Sequence, residues 1–166
     1  MYTITSTNRL SRGIILESVL SLCILFAVCV IMFVEYLKTG SGLGFWIMAG
    51  LLVATVLGCA AYMPREVILT DDALTIRLLW IKRVIPRKEI INMASIDRRV
   101  VRNSARVFGI GGLLGMVGHF RNKELGSYRR YTTCMEDLVL VQTSRGRKYV
   151  VNACQEMVDG FAASRK

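Results

Sequence analysis

The stretch RVFGIGGLLGMVGHF, residues 106–120, sets five glycines among large apolar side chains. Glycines in such a setting favour a phosphate-binding loop, an apolar loop that touches a membrane, or strands whose backbones pack closely. A dinucleotide-binding fingerprint needs a third glycine where Leu114 stands, and a P-loop needs a G-K-[ST] sequence that this stretch lacks. Neither phosphate-binding motif is therefore present.

Two interpretations of this stretch remain open. In the structural one, the glycines let a pair of strands bend sharply or approach each other closely inside a β domain. In the docking one, an apolar loop enters the bilayer surface or a groove of a partner. That loop would consist of Ile110, Leu113, Leu114, Met116 and Val117.

The N-terminal part of the chain carries two uncharged apolar runs, residues 18–34 and 43–63. About 20 apolar residues cross a bilayer as a helix, and roughly 17 is the lower bound. A signal peptide is the alternative for the first run, but no A-x-A cleavage site follows it and the second run comes soon after. We therefore predict a tail (1–12), a transmembrane helix (13–36), an external loop (37–42), a second transmembrane helix (43–63) and a further domain (64–166).

The distribution of Lys and Arg predicts that both termini are cytoplasmic. The tail carries Arg9 and Arg12, the connecting loop carries only Lys38, and the segment after Pro64 is strongly basic within a net charge of +10. Cytoplasmic flanks of membrane helices are enriched in these residues. A basic domain beneath an anionic leaflet is attracted to it by about 1 kcal/mol per cation near the surface. The same bias toward positive charge on the cytoplasmic side explains the composition equally well.

Small residues recur every four positions on the second apolar run, at Gly50, Ala54 and Gly58. Such a face allows membrane helices to approach closely. We expect it to pack on the first helix, with a dimer interface as the alternative. Neither run contains an Asp, Glu, Lys, Arg or His residue, which argues against transport.

No group of residues has the spacing of a catalytic, metal or cofactor site. The five cysteines form no C-x-x-C pair, and a nucleophile with a histidine base would depend on His119, the single histidine. No G-x-S-x-G motif supports such a nucleophile. We therefore expect a protein that is not an enzyme and needs no cofactor.

From residue 65 onward, apolar residues alternate with polar ones. In ALTIRLLW, residues 73–80, Leu74, Ile76, Leu78 and Trp80 share one face, which is typical of a half-buried strand. The pattern predicts a hairpin over 66–80, an edge or bulged strand at Pro86, a strand over 127–134 and a hairpin around the Ser144–Gly146 turn. Met157, Val158 and Phe161 share a face of a predicted C-terminal helix.

Four stretches, VILTDDALTIR, IPRKEI, RVFGIGGLLGMVGHFRNKELGSYRRYTT and LVLVQTSRGRKYVV, resemble bacterial pleckstrin-homology-like domains that follow a pair of membrane helices. The resemblance covers roughly residues 60–160. It implies a membrane α-hairpin followed by a mainly-β domain, a PH-like antiparallel bent barrel of seven strands capped by a C-terminal helix. It also implies a binding module in the bacterial inner (cytoplasmic) membrane. Asp71 and Asp72 stand in the first hairpin turn, where phosphoinositide-binding relatives place basic residues, so phosphoinositide binding is not implied.

Basic clusters mark the candidate surface for a protein partner or lipid. Arg98, Arg102 and Arg106 would align on a helix or lie spread along a loop. The full set is Arg98, Arg102, Arg106, Arg121, Lys123, Arg129 and Arg130. A domain fixed to a membrane rarely meets nucleic acid, so we expect no nucleic-acid partner.

These features predict a membrane-anchored, non-catalytic module whose basic domain engages a protein partner or anionic lipid headgroups. The alternative is a structural subunit of a homo-oligomer or of a larger membrane complex.

Overall fold

The computed structural model describes residues 3–8, 10–40, 42–111 and 114–163. A helical hairpin, α1 (Arg12–Thr39) and α2 (Gly42–Ala61), occupies the N-terminal part. Ser11 caps α1 by accepting a hydrogen bond from the Ile14 amide, and Gly40, in a left-handed conformation with φ of 68°, ends it. Both helices are long and apolar enough to cross a membrane. The two predicted apolar helices are therefore present.

A strand that the sequence analysis did not predict precedes the hairpin. This strand, β1 (Thr3–Thr7), pairs antiparallel with β2 (Pro64–Thr70), which follows α2. Its alternation of threonine and isoleucine suits a strand, and Ile4 packs against the main core. The N-terminal segment thus belongs to the β domain, and both free ends of the helical hairpin enter the same sheet.

The first sheet has four antiparallel strands in the order β1, β2, β3 (Ala73–Leu78) and β4 (Lys82–Pro86). The predicted hairpin is confirmed, and the Thr70 hydroxyl closes its turn by hydrogen bonds with Ala73. Strand β4 forms an edge and ends at Pro86, as expected for a residue that cannot donate to a ladder. Trp80 differs from the prediction: β3 ends at Leu78, so Trp80 lies in the following turn and is 66% exposed.

The second sheet has six strands. They are β5 (Ile90–Ser95), β6 (Ala105–Gly111), β7 (Met116–Asn122), β8 (Gly126–Thr132), β9 (Leu138–Thr143) and β10 (Lys148–Asn152). Their order is β5-β9-β10-β8-β7-β6, and only the β10–β8 pair is parallel among the described residues. A single 3-10 turn (Arg87–Glu89) precedes β5, a short helix α3 (Arg98–Arg102) precedes β6, and α4 (Gln155–Ala163) closes the chain.

The main core lies between the two sheets and α4, which buries Met157 and Phe161 as predicted. A second cluster, including Val101 and Phe120, packs on the other face of the six-stranded sheet. Strand β9 is buried on both faces, which explains its continuous apolar run LVLV. The predicted architecture is confirmed, although nine described strands follow the helices where the resemblance implied seven. The β6–β7 hairpin is the outer edge of this larger sheet.

Candidate functional site: the hairpin and groove beside the apolar helices

Two glycines hold the strands of the β6–β7 hairpin close together. Gly109 lies opposite Gly118, with φ values of 130° and 150°. A Cβ built on Gly109 would lie 2.5 Å from the Gly118 Cα, and the Val117 carbonyl oxygen would be closer still. Only glycine fits such an approach of two backbones. At these two positions the structural interpretation of the stretch applies.

The tip of this hairpin contacts α1. The Leu114 amide donates a hydrogen bond of 2.9 Å to the Ser18 hydroxyl, and Ser18 is buried. Ser18 lies six residues after Arg12, the first residue of α1, so the contact is about 9 Å along the helix at ~1.5 Å per residue. The hairpin therefore reaches beyond the start of α1.

The apolar side chains predicted to form an exposed docking loop are largely covered. Val117 is buried in the main core, and Ile110, Leu114 and Met116 are half-buried. Leu113 lies outside the described residues. Because side chains alternate across a strand, β7 directs Val117 to one core cluster and Met116 to the other. The described residues of the predicted docking loop therefore do not form an exposed loop, and this part of the prediction is wrong.

The exposed apolar residues lie next to that predicted loop. Val107 is 68% exposed and Phe108 is 78% exposed, both on β6. Trp80 and Ile81 are also exposed, in the turn between β3 and β4. The Trp80 amide donates a 3.3 Å hydrogen bond to the carbonyl of Ala61, the last residue of α2. The Trp80–Ile81 pair therefore adjoins the end of α2, and the Val107–Phe108 pair lies beside α2 as well.

The small-residue face of α2 does not pack on α1, which corrects the expected helix packing. Apart from chain neighbours and the local backbone of α2, no described atom lies within 4 Å of a Cβ built on Gly50 or Gly58. The two helices meet instead near Phe45, whose ring lies 5.5 Å from Tyr36 and 5.7 Å from Phe33. Packing of these large rings rotates the small face away from α1. Self-association through that face stays a prediction.

Ala54 and Gly58 instead line a groove of about 890 Å³ between α2 and the β6–β7 hairpin. The α2 wall continues to Tyr62, and the hairpin wall includes Ile110 and His119. Tyr131 of β8 lines the groove as well. Burial raises the pKa of the Tyr131 phenol, although the nearby guanidinium groups of Arg83 and Arg129 act in the opposite direction. Cationic side chains therefore adjoin this groove.

The predicted basic surface is divided between different parts of the domain. Arg106 lies on β6 and donates a 3.3 Å hydrogen bond to the Gly111 carbonyl near the hairpin tip. Helix α3 ends at Arg102 and Arg106 lies on β6, so Arg98, Arg102 and Arg106 do not align on one helix, which was one of the two alternatives that the sequence left open. Arg121 lies five residues beyond Met116 on β7, about 17 Å along the strand at ~3.4 Å per residue. Lys123 follows the end of the same strand.

Arg130 is not part of any exposed surface. Its side chain is 2% exposed, its Nε donates a 2.7 Å hydrogen bond to the Thr132 hydroxyl, and its guanidinium lies 5.7 Å from the centre of the Phe120 ring. Burial lowers the pKa of this guanidinium. Arg129 and Arg130 are neighbours on a strand and point to opposite faces, so only Arg129 can face a ligand.

The arrangement contains no described group of three or more His, Cys, Asp or Glu side chains that could hold a metal ion. A family model described as bacterial PH domain matches residues 65–156, more than half of the chain. The chain belongs to the bacterial PH domain family. No curated protein and no solved structure matches it.

Membership of this family indicates a binding module, because PH domains are generally non-catalytic. The sequence analysis did not identify the exposed residues next to the helices. They form two groups: Trp80, Ile81, Lys82 and Arg83 at the start of β4, and Val107 and Phe108 on β6. In the run WIKR, an aromatic residue stands directly before cations, a composition typical of membrane interfaces. That signal could have identified the first group.

Proposed function

We propose that this chain is a membrane-anchored, non-catalytic binding module whose PH domain lies in the cytoplasm and engages anionic lipid headgroups of the adjacent leaflet. Two apolar helices supply the anchor, and the bias of Lys and Arg toward the domain side supports the cytoplasmic orientation. The pairing of β1 with β2 supports a domain that stays next to the helix ends.

The observation that carries the proposal is the position of the exposed apolar side chains. Trp80 and Ile81 adjoin the end of α2, and Phe108 lines the groove beside Tyr62. Large apolar side chains seldom stay exposed as a group on a soluble surface, and aromatic rings favour the interface between lipid and water. A leaflet surface at this level covers them.

Charge supports the same orientation. Arg65, Lys82 and Arg83 lie at the strand ends next to α2, where each cation contributes about 1 kcal/mol of attraction to an anionic leaflet. Arg121 is about 17 Å from the hairpin tip along β7. That distance exceeds the Debye length of about 8 Å at physiological salt. Cations at that end of the domain are better placed for a protein partner.

Trp80 provides a direct test, because the chain has two tryptophans and Trp46→Phe leaves Trp80 alone. The full-length variant is placed in nanodiscs of phosphatidylcholine, with and without phosphatidylglycerol, and Trp80 fluorescence is quenched with brominated lipid. We expect stronger quenching in the anionic discs and a decrease of this difference as salt is raised. Arg83→Glu should remove most of the difference.

Arg121→Glu is the matched control, since it makes the same charge change at the far end of the hairpin. It should leave the quenching difference intact. Quenching that does not depend on lipid charge or salt would contradict lipid engagement. The basic surface would then be assigned to a protein partner, to be sought by crosslinking in native membranes.

A further inference from the structure

The groove between α2 and the β6–β7 hairpin has one wall in the candidate membrane span, which covers Leu43–Ala61. Ala54 lies seven residues before the end of α2, so the groove extends about 10 Å along the helix at ~1.5 Å per residue. The hairpin tip contacts α1 at Ser18. In a bilayer, the apolar end of this groove opens to acyl chains.

Polarity changes along the groove from one end of α2 to the other. On α2 the lining goes from Ala54 to the phenol of Tyr62 at the domain end. The tip residues Ile110 and Val117 lie beside Cys59 and Tyr62, so the hairpin tip adjoins this domain end. The Ala54 end of the groove is therefore apolar, and the domain end offers a hydrogen-bond donor.

The polar end is also cationic. Arg106 lines the groove and is exposed, and its guanidinium donates a hydrogen bond to the Gly111 carbonyl near the hairpin tip. Arg83 and Arg129 lie near enough to Tyr131, another lining residue, to act on its titration. No carboxylate lines the groove among the described residues. Guanidinium groups bind phosphate oxygens well, so this end is suited to an anionic headgroup.

We propose that this groove binds one anionic phospholipid of the surrounding leaflet, with an acyl chain along Ala54 and Gly58 and the phosphate near Arg106 and Tyr62. The proposal rests on the membrane anchoring described above. Its volume of about 890 Å³ lies within the range of about 300–1,000 Å³ that ligand pockets have. Because Gly58 has no side chain, there is room for the acyl chain to lie against the backbone of α2.

The test uses the full-length chain reconstituted in vesicles of phosphatidylcholine, phosphatidylethanolamine and phosphatidylglycerol, then transferred to mild detergent and analysed by native mass spectrometry. We expect one retained phosphatidylglycerol per chain, above its share in the vesicles. Gly58→Ile should lower the retained fraction about tenfold, because it displaces roughly two methylene groups of the acyl chain. A built Cβ at Gly58 meets no described atom within 4 Å, so the variant is expected to fold.

Gly50→Ile is the matched control on the same helix face. Gly50 lies eight residues before Gly58, about 12 Å away at ~1.5 Å per residue, and does not line the groove. It should retain lipid as the unmodified chain does. Arg106→Glu should abolish the preference for phosphatidylglycerol, whereas Arg121→Glu should keep it.

The outcomes separate this proposal from the proposed function. Equal lipid retention by Gly58→Ile and the unmodified chain would overturn the groove site, as would retained lipid that matches the vesicle composition. A chain recovered as a lipid-free dimer would overturn it as well. If Trp80 quenching responds to lipid charge while no lipid is retained, surface engagement holds and the groove proposal is wrong. If one anionic lipid is retained without a Trp80 response, the groove proposal holds and surface engagement is wrong.

Discussion

Replacing Gly118 by alanine should destabilise the β domain more than the same replacement at Gly146. A Cβ built on Gly118 would lie 2.7 Å from the Gly109 Cα and closer still to the Phe108 carbonyl oxygen. These are backbone atoms, so β6 must move away from β7. A non-glycine residue in this region of φ costs about 1–3 kcal/mol, and each ladder hydrogen bond lost costs about 1 kcal/mol more. We expect a loss of about 3 kcal/mol in the free energy of unfolding.

Gly146→Ala is the matched control. Gly146 also has a positive φ, 71°, but no described atom lies within 4 Å of a Cβ built there. The left-handed conformation alone costs about 1–2 kcal/mol. At about 4 °C per kcal/mol for a domain near this size, Gly118→Ala should lower Tm by about 12 °C and Gly146→Ala by about 4–8 °C.

Thermal unfolding of the full-length chain in detergent, followed by near-UV circular dichroism, measures both shifts. Because β6 is an edge strand, it can also detach without global unfolding. Hydrogen exchange in β6 would then rise in Gly118→Ala while Tm falls less. A Gly118→Ala variant with native exchange in β6 and a Tm at or above that of Gly146→Ala would refute the reasoning about close backbone approach.

Three further predictions concern other contacts. Ser18→Ala removes the acceptor of the Leu114 amide, at a cost of about 1–3 kcal/mol, so hydrogen exchange at the hairpin tip should rise, whereas Ser21→Ala, at a partly exposed site bonded within its own helix, should leave it unchanged. Since burial raises the pKa of Tyr131, the folded chain holds this proton more tightly than the unfolded chain, and stability should fall as pH rises above about 10, less so in Tyr131→Phe when Tm is measured against pH. If α2 self-associates, Gly50→Ile should lower energy transfer between labelled chains in vesicles, and unchanged transfer would contradict a small-residue interface.

Features that depend on local pattern were predictable from the sequence. Uncharged apolar runs predicted both helices, and alternation predicted the β2–β3 and β9–β10 hairpins. These predictions succeed because the pattern of apolar residues that defines each element lies within that element's own sequence. The resemblance to bacterial PH domains predicted how these elements are arranged in the fold.

Features that depend on distant partners were not predictable. Strand β1 is short, and its partner β2 lies beyond both helices in the sequence. The rotation of α2 about its axis depends on which side chains fill its interface with α1. The rings of Phe45 and Tyr36 fill this interface, and the small-residue face of α2 does not. Arg130 is buried because both faces of its strand are covered. The basic residues beside it in the sequence give no indication of this burial.

If both helices span a membrane as proposed, the pairing of β1 with β2 couples assembly of the domain to insertion of the hairpin. In a chain with only one helix inserted, the strand before α1 and the strand after α2 would lie on opposite sides of the bilayer and could not form the sheet. Residues 3–7 are synthesised before both helices, yet they acquire their partner only after both helices have been made. The four-stranded sheet would therefore be complete only in chains whose two helices have both crossed, and a half-inserted chain would leave a strand edge unpaired.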